Sequence, residues 1–183
     1  MTKKQKDLKK LKALAKASGL RTIFKRTSNP KDPNASWSPD GTLTIYLRSY
    51  TSQRTIIILY IHELAHNIDF RERHKNDPEM LYDALAAEDA RRNSRDAKVD
   101  KSMRKLIYED EVRAAGYRQQ IRRQLDLESI TESELDLDIK LDIWIYKYYY
   151  DKGNFPTIKQ SEIKLEELKR AAKKSSKKSA HRI

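Results

Sequence analysis

The chain is 183 residues long, 38% hydrophobic and 36% charged, with a formal net charge of +12 and no cysteine. That length allows one substantial core with extensions, while the missing thiols exclude disulfides, cysteine zinc fingers and thiol catalysis, leaving His, Asp and Glu as metal ligands. Residues 1–16 hold seven lysines and one aspartate, and residues 164–183 hold eight Lys or Arg and two Glu, so the basicity belongs to the two ends and the middle is balanced.

Cationic ends predict weak, salt-sensitive contact with nucleic acid or another polyanion, rather than a basic groove on the fold itself. No apolar run reaches the roughly 18 residues of a membrane span. The opening MTKKQKDLKKLKALAKASG is basic and amphipathic, without the apolar stretch of a secretory signal. Together with the lack of cysteine, this makes a cytoplasmic location the expectation.

Leu8, Leu11, Leu14 and Ala15 recur at helical spacing ahead of Gly19, which predicts a helix over 3–18 that packs on the domain edge or lies on a partner. LRTIFKR, residues 20–26, reads as a strand. Residues 27–41 hold three of the five prolines and read as a loop, with Trp37 as a core-packing or pocket residue. Leu43, Ile45 and Leu47 alternate with Thr44 and Tyr46, giving a second strand with one buried face.

A helix from Thr51 or Ser52 to about residue 74 follows, apolar nearly all the way round and hence central. Asn76-Asp77-Pro78 then points to a new helix over 78–92, an exposed connection, and a helix over 101–125. Residues 126–151 carry conflicting signals. Leu135 to Ile145 alternate as in a strand, but Thr131-x-x-Glu134 is a capping box and Gly153 suits a helix end, so a helix is preferred. A last surface helix is expected over 161–172, before a frayed lysine-rich tail.

The central helix carries His62-Glu63-Leu64-Ala65-His66, the H-E-x-x-H spelling of a zinc-binding turn. Residues four apart on a helix differ by about 40° in azimuth and roughly 6 Å in rise, so both imidazoles can reach one Zn²⁺. Glu63 is placed to take a proton from bound water. Catalytic zinc needs a third protein ligand. Glu72 and His74 are too far along a continuous helix, roughly 15 Å or more from His62. Asp69 shares the histidine face and suits a supporting carboxylate for an imidazole.

The third ligand must therefore come from another helix. Glu88 is one candidate, and Glu109 and Glu111 are better ones, each followed by small residues: Val112 and Gly116 for Glu109, Ala114 and Ala115 for Glu111. They lie about 200° apart on a helix, so only one can face the metal. Among the tyrosines, Tyr46, Tyr108 and Tyr117 are candidates to stabilise an oxyanion. The strand residues Leu43, Thr44, Ile45 and Tyr46, just ahead of the motif, are candidates to pair with an extended peptide as an edge strand.

The H-E-x-x-H helix, a later helix with Glu-x-Glu before small residues, and a helix end near Leu125-Asp126-Leu127 resemble the IrrE/ImmA-type small gluzincin metallopeptidases, many of them carried by phages. The resemblance covers about residues 40–127. Its register, Glu109-Asp110-Glu111-Val112 and then Ala115-Gly116, implies Glu109 as the zinc ligand, with Glu111 the alternative; Val112 and Ala115 depart from the family pattern. It implies an α+β, zincin-like fold, mostly helical, with a small antiparallel or mixed sheet on the H-E-x-x-H helix. The expected layout is a basic helix over 1–18, a metallopeptidase domain over 19–155, and a C-terminal helix and tail over 156–183. The expected activity is zinc-dependent hydrolysis of a protein or peptide substrate. The competing expectation is an inactive zincin-like module that binds nucleic acid or an acidic protein through its basic ends.

Overall fold

A computed structural model describes residues 1–29, 34–38, 41–73 and 99–180, with side chains to residue 174. The expected helix over 78–92, together with Glu88 and His74, lies outside the described residues. The elements in chain order are α1 (Lys3–Ala17), β1 (Arg21–Arg26), β2 (Ala35–Ser38), β3 (Thr42–Leu47), α2 (Gln53–Arg73), α3 (Lys101–Gln124), α4 (Glu132–Lys152) and α5 (Ile158–Ala180). The class is α+β: helices dominate, beside a three-stranded mixed sheet. Among the described residues, no helix is long and apolar enough to cross a membrane.

Packing is layered around α2. The sheet and α1 lie against it on one side and α3 on the other; α4 packs on α3, and α5 on α4. Ile57, Tyr60, Ile61, Leu64 and Ala65 of α2 are fully buried among Leu11, Leu43, Ile45 and Ala114. An apolar helix with neighbours all round buries its backbone and side chains without needing a polar face. Ser52 caps it, accepting from the Thr55 amide at 3.1 Å.

The stretch expected to be a loop contains β2, which changes the sheet. The order is β1-β3-β2, with β1 parallel to β3 (Arg21 opposite Thr42) and β2 antiparallel (Ala35 opposite Ile45). A Trp flanked by serines carries little strand signal, but its ring supplies the reason to pair. Trp37 is buried against Phe70 of α2, ring centroids 4.9 Å apart. Leu43, Thr44, Ile45 and Tyr46 therefore sit in the central strand, hydrogen-bonded on both sides, and the expectation that they form a substrate-pairing edge is corrected. The edge strand on that side is β2.

The α1 helix begins with a Thr2–Gln5 capping box and packs into the common core through Leu11 and Ala15. Asp7 on the same helix is buried and accepts from the Ser129 amide at 2.7 Å, the Ser129 hydroxyl at 2.5 Å and the Glu128 amide at 3.3 Å. Removing the carboxylate takes the charged acceptor from three donors in the turn between α3 and α4. Asp7→Ala is expected to cost about 2 kcal/mol of stability, read as a lower urea midpoint with an unchanged slope.

The ambiguous segment is helical. Thr131 and Glu134 form their capping box, and Gly153 ends α4 in the left-handed region at φ 78°. Its period-2 pattern has a helical explanation. Two residues advance a helix by about 200°, so Leu135, Ile139 and Ile143 line one face and Leu137, Leu141 and Ile145 the opposite one. A helix between α3 and α5 uses both. The last helix, α5, is longer than expected, from Ile158 to Ala180 rather than 161–172.

Candidate metal centre

Burial of α2 brings His62 and His66 inward on successive turns, with the His66 side chain 3% exposed and the His62 side chain 15%. Their Nε2 atoms are 3.2 Å apart. Glu111 Oε2, from α3, lies 3.3 Å from His66 Nε2 and 3.7 Å from His62 Nε2. These three donor atoms converge on one point between the two helices. Glu63, beside the first histidine, is also buried.

The sequence favoured Glu109 through the family register, but the structure turns it away. The buried stripe of α3 runs Ile107, Glu111, Ala114, Ala115, Arg118 and Ile121. Glu109 lies off that stripe, its side chain 41% exposed and 3.6 Å from Lys105. Val112 is exposed, and a Cβ on Gly116 would meet nothing within 4 Å, so the small residues near Glu109 are not packing devices. The alternative, Glu111, is the carboxylate at the histidine pair.

Each histidine presents its other ring nitrogen to a carboxylate. His66 Nδ1 is 3.1 Å from Asp110 Oδ2 of α3, and His62 Nδ1 is 3.6 Å from Asp142 Oδ2 of α4. The Asp110 carboxylate at His66 Nδ1 favours the Nδ1–H tautomer of that ring, leaving its Nε2 lone pair facing Glu111, while Asp142 lies on the corresponding side of His62 at a longer distance. Three acceptors held that close repel one another unless a proton or a cation lies between them.

Asp69, expected to support an imidazole, acts at one remove. It accepts from Arg73 Nε at 2.9 Å and lies 3.5 Å from Arg113 Nε; both arginines also reach Asp110, at 2.8 and 3.2 Å. The histidine is thus braced by Asp110, and Asp69 holds the arginines that hold Asp110. On the far side, Arg118 donates to Asp142 Oδ2 at 2.7 Å and lies 3.4 Å from Asp138. Asp110, Asp142 and Arg118 were not anticipated. Asp110 was hidden between two competing glutamates, and Asp142 in a segment whose periodicity fitted two structures. Glu72, set aside on distance, accepts from the Tyr117 hydroxyl at 2.7 Å; Tyr108 stacks on Tyr150, and Lys25 lies over the ring of Tyr46. None of these contacts involves the histidine pair.

Burial pushes the Asp142 carboxyl above the usual carboxylate range, with Glu111 adding to the shift and Arg118 opposing it. Burial and the Asp142 charge push Asp138 up to about 6, against Arg118 and Arg54. From the ordinary 3.8 to about 6, the folded chain keeps a proton that the unfolded chain releases, so stability from this group falls as pH rises through that window. Asp138→Asn is expected to remove that fall. Measured with a chelator present, its thermal midpoint should exceed that of the wild type above about pH 6 and converge with it below about pH 4.

The donor set fits a zinc ion. A tetrahedral site with bonds of about 2.0–2.1 Å spaces its donors about 3.3 Å apart, and the observed separations are 3.2, 3.3 and 3.7 Å. Comparisons with protein-family models, with curated proteins and with solved structures give no match to this chain.

Proposed function

We propose that this chain is a zinc-dependent endopeptidase, a zincin-like enzyme of the IrrE/ImmA small gluzincin type, with His62, His66 and Glu111 as metal ligands and Glu63 as the general base. The reading rests chiefly on one observation: two Nε2 atoms and a buried glutamate oxygen converge at zinc-like spacing. When bound there, zinc would lower the pKa of water and polarise a peptide carbonyl. Glu63 would take the water proton and return it to the leaving amine. Asp110 and its arginines keep His66 in the tautomer whose Nε2 lone pair points at the site.

An extended substrate would add to the sheet at β2 rather than β3, because β3 has no free edge. The basic ends would serve as accessory contacts to polyanions or acidic protein surfaces. Elemental analysis combined with digestion of an unstructured protein tests the reading. About one zinc per chain together with chelator-sensitive cleavage supports it. Zinc without cleavage moves the chain to the inactive binding module, and no zinc sinks the metal reading.

A further inference from the structure

We propose that Arg118 and Asp142 form a positioning pair for His62, making α4 part of the metal centre; this rests on the metal reading above. Three observations converge. The Arg118 side chain is 2% exposed, in the same stripe of α3 as Glu111 and two turns along from it. Its Nη1 donates at 2.7 Å to Asp142 Oδ2, the same oxygen that faces His62 Nδ1 at 3.6 Å. Burying an arginine is costly unless its charge is matched, so an Arg118 used only to hold α3 to α4 would be a poor exchange for apolar packing. Asp138, the other carboxylate near Arg118, makes the longer contact of 3.4 Å and touches neither histidine.

The chemistry gives the pair a task. A histidine bound through Nε2 needs its Nδ1–H accepted by a base that cannot turn away, because ring orientation and donor strength both depend on that bond. Asp142 accepts from Arg118 Nη1 on one side and faces the ring on the other. His66 receives the equivalent service from Asp110 with Arg73 and Arg113. The two histidines, adjacent on one helix, are thus braced from two different helices. Sequence alone does not connect Asp142 to His62, 80 residues away.

The test is zinc affinity of the full chain, measured by competition with a chromophoric chelator, alongside thermal midpoints of the zinc-free proteins. Asp142→Asn is expected to weaken binding about 10- to 100-fold, with Asp142→Glu recovering part of the loss. Asp136→Asn, on the exposed face of α4 and paired with Lys140, should leave affinity unchanged. If Asp142→Asn lowers the zinc-free midpoint but binds zinc like the wild type, the pair is structural only and the proposal is overturned. Should Asp142→Asn not fold, Arg118→Gln carries the test: it removes the charge that holds Asp142 in place, and an unchanged affinity would be equally fatal. A wild type that binds no zinc removes the metal reading itself, a result distinct from either.

Discussion

Glu111→Gln is expected to abolish stoichiometric zinc binding, whereas Glu109→Gln leaves it intact. The glutamine keeps the volume of a side chain buried between two helices but removes the charge that draws a cation to Nε2 of both histidines. Loss of a direct ligand should exceed the about 10- to 100-fold that outer partners contribute. Glu109 is solvated and, among the described residues, paired with Lys105, a pair of the kind that contributes at most about 1 kcal/mol. Equilibrium dialysis of the two variants decides the matter, and the opposite pattern would reinstate the family register that implied Glu109.

Glu63→Gln separates binding from chemistry. It removes no proposed ligand, so the variant should carry as much zinc as the wild type. It also removes the proton acceptor, and general-base loss lowers turnover about 10²- to 10⁴-fold. Cleavage of a quenched fluorescent peptide by the zinc-loaded variant at wild-type rate would assign the base elsewhere. Because Glu63 is buried, a glutamine of the same shape is a better probe than alanine, which would add a cavity to the chemical change.

How far the sequence could be read depended on which signals were local. The H-E-x-x-H turn needs only helical geometry, so His62 and His66 were legible as a pair. The choice of Glu111 over Glu109 depended on which face of α3 is buried. The stripe Ile107, Glu111, Ala114, Arg118 and Ile121 carried that information, but two of its members are charged, which breaks an apolar pattern. Two opposed apolar faces gave α4 a strand-like alternation beside its helix caps, and although the helix was the preferred reading, nothing in that pattern singled out Asp138 and Asp142. The pairing of β2 was illegible for a different reason: its anchor, Trp37 on Phe70, joins residues 33 apart through shape rather than pattern. Asp69 was placed on the right surface, yet its partner is Arg73, and the imidazole of His66 meets Asp110 from α3 instead.

The two-faced character of α4 has a consequence for handling the protein. Shortening the chain near residue 156, a natural choice for trimming a basic tail, would strip α5 from α4 and leave the face of α4 on which it packs as an uncovered ridge in water. Such a ridge favours self-association, and the lost lysines would no longer keep copies apart by charge repulsion. The lysine-rich end would then act as a colloidal shield as well as a tail, and truncated material is expected to sediment as larger species than the full chain.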